Sequence, residues 1–171
     1  MYYLAQFGLF NSLESMIKPI LHIIAEYASG YELKEWIPLA KIDWEWLSEN
    51  PNDGAIALLK ENQDKIDWEW LSRNPNDGAI ALLNANQDKI DWRRLSRNPN
   101  DGANALLKDQ LKQNQDKIYW WCLSRNPNDG AIALLKVNPD KIDWVRLSRN
   151  PNDGAIALLK ANQDKIDWFW L

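Results

Sequence analysis

One block of 24 residues recurs along most of this chain, and no other feature constrains the fold as strongly. Each block opens with KIDW, or once with KIYW, and continues with the pattern LSxNPNDGAxALL. A block this short cannot bury an apolar face alone, so successive blocks are expected to stack and to share one continuous core. The blocks begin at Lys41, Lys65, Lys89, Lys117, Lys141 and Lys165.

The first half of each repeat predicts a short helix. In the first repeat, Asp43 is suited to cap a helix that carries Trp44 and Leu47 on one face. This helix must stop before Pro51, because the residue before a proline is pushed out of the helical region. The Trp after each Asp recurs once per repeat and can bury about 150 to 250 Å². These rings are therefore expected to form a stacked core.

The second half of each repeat predicts another helix. Asn52 or Asp53 is placed to cap it, and Asn62 is expected to end it in a left-handed conformation. The Asn and Ser side chains of the intervening turn are expected to bond backbone groups within and between repeats. Period-two alternation is absent, so strands are not expected. The predicted fold is an all-α tandem-repeat solenoid with two short helices per repeat. The apolar stripe of the second helix is Ala55, Ile56, Leu58 and Leu59.

Residues 1–40 do not fit the repeat and predict an N-terminal helical cap for the solenoid of residues 41–171. Pro19 opens an amphipathic helix that Ser29 and Gly30 close. Beyond the cap, the five full repeats are followed by a half repeat whose uncapped end predicts self-association. The full repeats span 41–64, 65–88, 89–116, 117–140 and 141–164.

The third repeat carries four additional residues, DQLK. They place Leu111 four residues after Leu107, on the same helical face. We therefore expect one extra helical turn in this repeat.

The segments YELKEWIPLAKIDW, KIDWxxLSxNPN and AIALLKxNQDKIDW resemble a repeat family of giant and large DNA viruses of algae and amoebae. The resemblance covers about residues 31–171 and implies a viral origin, with no catalytic residue to transfer. This chain departs from the family pattern in the Asp-Gly pair after NPN and in KIYW. More distantly, the repeat is similar to the leucine-rich repeat variant solenoid, which alternates α and 3-10 helices. That likeness implies that the DWxxLS helix is partly 3-10.

Catalytic chemistry finds little support in the sequence. The single histidine, His22, has no second His or Cys at metal-ligand spacing, and Cys122 stands at a variable position of a repeat helix. The repeated glycines lack the spacing of a phosphate-binding loop. We expect no enzyme activity, no metal and no cofactor.

The net charge of −4 and the pI near 5.0 argue against a nucleic-acid partner. The N-terminus lacks the pattern of a signal peptide, and no apolar run reaches the length of a membrane span. The sequence predicts a protein that is not secreted and not in a membrane, located in the host cytoplasm or in the virion.

Two sets of positions are candidates for binding a protein partner, because Trp and Arg are enriched in interface hot spots. The first set is the variable pair after each DW, although its second member could pack in the core and its first could merely be solvated. The second set is the Arg one place after LS in every full repeat except the first, which has Glu49 there. This ladder could also be a solvated stripe paired with Asp side chains. The candidates from the pair are Trp46, Trp70, Arg93, Arg94, Trp121, Arg146, Phe169 and Trp170, and those from the Arg ladder are Arg73, Arg97, Arg125 and Arg149.

The repeat architecture favours a non-catalytic scaffold that binds a host or viral protein through these variable positions. A structural component of the virus particle is an alternative, in which the half repeat packs against capsid proteins. A lesser alternative treats residues 16–28 as an F-box-like helix of a ubiquitin-ligase adaptor.

Overall fold

The computed structural model describes residues 37–113 and 117–169 of the chain. These residues form α-helices, single 3-10 turns and loops, with no strand in the described ranges. The prediction of an all-α repeat fold is confirmed. The chain divides into two compact units, residues 1–67 and 68–171, which are considered separately. The predicted cap helix that begins at Pro19, His22 and the residues of the F-box-like hypothesis lie outside the described residues.

The first compact unit contains one complete repeat. Its short helix α1 packs against its longer helix α2. The Asp43 carboxylate accepts a hydrogen bond from the Trp46 amide at 3.2 Å, as the N-cap prediction requires. The elements are a 3-10 turn at Leu39–Lys41, α1 at Trp44–Glu49, α2 at Asp53–Glu61 and a 3-10 turn at Gln63–Lys65.

The second compact unit continues the same pattern as an α-solenoid, in which short and longer helices alternate. The short helices are α3 (Trp68–Leu71), α5 (Trp92–Leu95), α7 (Trp120–Leu123) and α9 (Trp144–Leu147). The longer helices are α4 (Asp77–Ala85), α6 (Asp101–Gln113), α8 (Asp129–Lys136) and α10 (Asp153–Ala161). Further 3-10 turns lie at Gln87–Lys89, Pro139–Lys141 and Gln163–Lys165. The 3-10 turns thus follow the longer helices, and the short DWxxL helices are α-helical, contrary to the expectation drawn from the leucine-rich repeat variant likeness.

Each longer helix of the second unit packs on the longer helix of the next repeat, in the order α4, α6, α8 and α10. The core between them is aliphatic. It consists mainly of fully buried Leu and Ala side chains, among them Leu83, Leu107, Leu135, Ala103 and Ala131.

The recurring Trp rings are not part of this fully buried core, which corrects the expectation of a stacked Trp core. Trp68, Trp92 and Trp144 are half-buried at the edge of the array. Each ring lies under the ammonium group of the next repeat's KIDW lysine, and the distance from Lys89 Nζ to the centroid of Trp68 is 4.6 Å. A ring that must receive a cation on one face cannot also be sealed within a Leu core, because the charged group needs water.

Asn residues cap the start of every longer helix described and the ends of α2, α4, α8 and α10. At the start of α6, Asn100 Oδ1 accepts a hydrogen bond from the Gly102 amide at 2.7 Å. At the end of α2, Asn62 Nδ2 donates to the Leu58 carbonyl at 2.9 Å. Asn62 has a φ of −127°, so the predicted left-handed conformation is wrong. Its side chain satisfies a terminal carbonyl from an ordinary backbone conformation, which removes the need for a left-handed cap.

The invariant NPN turn also joins neighbouring repeats. Asn98 Nδ2 donates to the carbonyls of Ser72 and Asn74 in the preceding repeat, at 3.1 and 2.9 Å. Ser72 Oγ donates to Trp68 O within its own repeat and accepts from the Asp91 amide of the next. The predicted bonding of the Asn and Ser side chains within and between repeats is therefore confirmed. These polar contacts fix the register of one repeat on the next.

The third repeat departs from this regular arrangement in two ways. Helix α6 spans 13 residues where α4 spans 9, which confirms the extra turn predicted from the DQLK insertion. Asn104 also occupies the place that Ile holds in the other described repeats. It is 5% exposed, and its Oδ1 atom has no hydrogen-bond partner among the described residues.

Candidate protein-binding face

The variable pair after each DW lies in the short helices, and side chains of successive repeats reach one another there. The second member of a pair extends to the first member of the preceding pair. Arg94 meets Glu69 in this way, and Arg146 meets Trp121. The short helices thus present a row of contacts that differs from repeat to repeat, while the framework around them is constant.

One cluster in this row is a complete stack of aromatic ring, cation and carboxylate. The Arg94 guanidinium carbon lies 4.5 Å from the centroid of the Trp70 ring. Its Nε donates to Glu69 Oε1 at 2.8 Å, and Nη2 donates to the same oxygen. Stacking uses the flat face of a guanidinium and leaves its N–H groups at the edge available for a carboxylate.

A second cluster surrounds Trp121. The guanidinium of Arg97, from the preceding repeat, lies 4.7 Å from the ring centroid, and that of Arg146, from the following repeat, lies 4.3 Å from it. Arg146 is also held by Asp143, whose Oδ2 is 3.3 Å from its Nε. Arg97 makes no ion pair with a carboxylate of the described residues. The indole therefore holds two cations, of which only Arg146 has a carboxylate.

Cys122 lies beneath this cluster and is 1% exposed. Burial raises the pKa of its thiol, because the thiolate would lose its hydration, and the positive charges of Arg97, Arg93 and Arg146 oppose that shift. A thiol with a raised pKa in a buried position is a poor nucleophile. Its position shows that the second member of the pair does pack in the core in this repeat, as the alternative interpretation expected.

We define the Arg–Trp face as Arg93, Arg97, Trp121, Arg125 and Arg146. Arg93, Arg97 and Arg125 are exposed, and none of them forms an ion pair with a carboxylate of the described residues. Arg125 has the repeat position of Arg97, one repeat further along. This face therefore gathers unpaired positive charge on a chain whose net charge is −4.

Of the other predicted binding residues, the four that the structure describes are all exposed. Trp46 belongs to the first compact unit and is 62% exposed. Phe169 is 81% exposed, and Trp170 lies outside the described residues. Arg73 and Arg149 are exposed members of the Arg ladder. The interpretation of that ladder as a simple stripe does not describe Arg97, which stacks on Trp121.

Sequence reasoning missed the role of the lysine that begins each KIDW. Lys117 Nζ lies 5.2 Å from the Trp92 centroid and Lys165 Nζ lies 4.8 Å from that of Trp144. The signal was present in the invariant spacing of Lys and Trp. These cation–π contacts join neighbouring repeats and belong to the framework.

A shallow groove of about 390 Å³ lies between α6 and α8. Asn104, Ala105, Leu134 and Val137 contribute to its lining, with Asp101 and Lys108 among the charged residues beside them. The unpartnered Asn104 oxygen is inaccessible to water, so the groove offers a partner mainly small and apolar side chains. Among the described residues, no group of His, Cys, Asp and Glu is arranged to hold a metal ion.

The chain matches no protein-family model, curated protein or solved structure. The resemblance to viral repeat proteins therefore stays a prediction. Within the described ranges, every helix is too short or too polar to cross a membrane.

Proposed function

We propose that this protein is a non-catalytic scaffold that binds a partner protein through the short-helix layer of its repeats. The observation that carries the proposal is that the invariant and the variable positions of the repeat make different kinds of contact. The invariant Asn, Ser, Lys and Trp residues are engaged in contacts between repeats. The variable positions instead assemble clusters such as Trp121 with Arg146, which Arg97 of the Arg ladder joins. In a solenoid, positions that the framework does not specify are the ones available for recognition.

Site-specific photo-crosslinking tests this proposal. A photoreactive phenylalanine replaces Val145, which is 49% exposed beside Arg146 in the short-helix layer. The matched control replaces Val137, which is 74% exposed at the end of a longer helix. Crosslinking in cells that produce the protein should give a discrete adduct with another protein at position 145 and none at position 137, as resolved by gel and mass spectrometry.

Three outcomes separate the candidate functions. A single adduct confined to position 145, and lost when Arg93, Arg97 and Arg125 are replaced by Ser, supports the scaffold. Equal adducts at both positions would contradict a localised binding face. Adducts that contain only a second copy of the chain or capsid proteins would favour our second candidate function, a structural component of a virus particle.

A further inference from the structure

The Arg–Trp face contains a partly built copy of a contact that is complete elsewhere in the same array. At Arg94, the guanidinium stacks on Trp70 and Glu69 occupies its edge. At Arg97, the guanidinium stacks on Trp121, and no carboxylate of the described residues pairs with it. The two stacks differ in register, since Arg94 is the second member of a variable pair whereas Arg97 belongs to the Arg ladder, and in the fourth repeat the position of Glu69 is taken by Trp121 itself.

The neighbours of Arg97 increase the unpaired positive charge. Arg93 precedes it by one helical turn and Arg125 follows one repeat later, both exposed and both without an ion pair to a described carboxylate. Stacking on Trp121 restrains the Arg97 side chain, so less conformational entropy is lost when its N–H groups bind an acceptor. The face is therefore prepared for anionic groups with the geometry of a carboxylate.

We propose that the Arg–Trp face binds an acidic segment of a partner protein, whose carboxylate completes at Arg97 the stack that Glu69 completes at Arg94. This inference rests on the proposed scaffold function and specifies the chemistry of the partner. The segment binds in an extended form along the array, crossing the short helices of successive repeats.

The repeat geometry sets the spacing of the acidic residues. Packed helices lie about 8 to 10 Å apart, and Arg97 and Arg125 belong to successive repeats. A polyproline II segment rises about 3.1 Å per residue, so three residues advance it by about 9 Å. Acidic residues at every third position of the segment therefore match the step from one repeat to the next.

Single-stranded nucleic acid fits this face less well. Proteins that hold single strands stack bases on open aromatic rings within a positively charged groove. The Trp121 ring already contacts two guanidinium groups, which leaves little of it open to a base. The net charge of −4 also repels a polyanion at long range. Oligonucleotide binding is accordingly an outcome of the test that would overturn the proposal.

Fluorescence anisotropy with synthetic probes tests the proposal on the full chain. The first probe is a fluorescein-labelled peptide of four Glu-Pro-Ser triplets, and the matched probe has Gln in place of Glu. A labelled dT oligonucleotide of equal length is the third probe. The protein variants are Arg93→Ser/Arg97→Ser/Arg125→Ser and the control Lys108→Ser/Lys136→Ser/Lys160→Ser, which removes three cations at one repeat position of the longer helices. Circular dichroism checks that both variants keep their helices.

The Glu peptide should bind at least about tenfold more tightly than the Gln peptide, and the affinity should fall as salt is added. The Arg variant should lose about tenfold or more, while the Lys variant should retain most of the affinity. Equal binding of the Glu and Gln peptides, equal loss in both variants, or tighter binding of the oligonucleotide would each overturn the proposal. If the Glu peptide fails while the adduct at position 145 forms and depends on the arginines, the scaffold stands and only the acidic partner is rejected. Failure of both experiments rejects both proposals.

Discussion

Replacing Asn104 by Ile should stabilise the array, although it removes a hydrogen bond. Asn104 Nδ2 donates to the Asn100 carbonyl at 3.0 Å, but its Oδ1 is buried with no partner in the described structure. Other longer helices carry Ile at this position, and Ile80 and Ile132 are 7% and 2% exposed. The third repeat therefore keeps a polar group where the first, second and fourth repeats bury an Ile side chain.

The expected gain follows from three contributions. A buried unsatisfied acceptor costs about 1 to 3 kcal/mol, and the hydrogen bond that would be lost is worth about 0.5 to 1.5 kcal/mol. Burial of an Ile side chain contributes about 1.5 to 3 kcal/mol, part of which the Cβ and Cγ atoms of Asn already provide. The free energy of unfolding should therefore rise by about 2 kcal/mol.

There is room for the larger side chain. A methyl group placed on Gly130 would be 3.0 Å from Asn104 Cβ, and one placed on Gly154 would be 3.0 Å from Ile132 Cγ2. The glycine of the next repeat thus accommodates Ile at the equivalent position of the fourth repeat. The same close approach should accept Ile at position 104.

Urea unfolding followed by Trp fluorescence measures the effect, with hydrogen exchange of the α6 and α8 amides to locate it, since repeat arrays can unfold in parts. The reciprocal variant Ile132→Asn should lower the free energy of unfolding by a similar or larger amount. If Asn104→Ile leaves the free energy of unfolding unchanged or lowers it while Ile132→Asn is destabilising, then the buried Asn104 Oδ1 atom does not destabilise the array and the reasoning is refuted.

Four further predictions follow from single contacts. Tyr119→Asp should raise the free energy of unfolding by about 0.5 to 2 kcal/mol in thermal unfolding, because this helix start lacks the side-chain cap that Asp provides in other repeats. Gly154→Ala should destabilise by about 1 to 3 kcal/mol in urea despite the better helix propensity of Ala, since its methyl group would be 3.0 Å from Ile132 Cγ2. Asn126→Ala should cost about 2 to 4 kcal/mol in the same assay, because two carbonyls of the preceding repeat lose their buried donor. Cys122 should react with a disulfide reagent only as the fold opens, because its side chain is buried. The raised pKa of its thiol in the folded state means that the unfolded chain ionises first, so the free energy of unfolding should fall as the pH rises above about 8.5.

Much of the fold could be predicted from the sequence because each repeat carries strong local signals. Asp43 and Asn52 cap the two helices as their positions indicated. The DQLK insertion lengthens α6 by the predicted helical turn, although Gln110 is buried there and Leu111 is only half-buried. The conformation of Asn62 could not be predicted, since an Asn can end a helix through either its backbone or its side chain.

The binding face was harder to predict, because its contacts join residues that are far apart in the sequence. The composition of the variable pair identified Trp121 and Arg146 as candidates, and the Arg ladder identified Arg97. Only the stacking of one repeat on the next shows that Arg97 and Arg146 share the Trp121 ring. The pairing of Arg94 with Glu69 has the same origin. Period and composition locate such a face, but the relative rotation of neighbouring repeats decides which side chains meet.

Several departures from the repeat fall in the two repeats that contribute Arg97 and Trp121. Asn104 and the inserted turn belong to the third repeat, and Tyr119, Trp121 and Cys122 belong to the fourth. The neighbouring repeats show that Ile and Asp serve the framework better at positions 104 and 119, because they fill the core and cap the helix. A chain shaped only for a stable array would repeat those solutions. The third and fourth repeats therefore give up a cap at position 119 and aliphatic packing at position 104, which is consistent with a local requirement other than stability. These two repeats are also the ones that contribute Arg97 and Trp121. If Tyr119→Asp raises stability and leaves binding of the Glu peptide unchanged, this connection between the departures and the face is removed, whereas the cap argument remains.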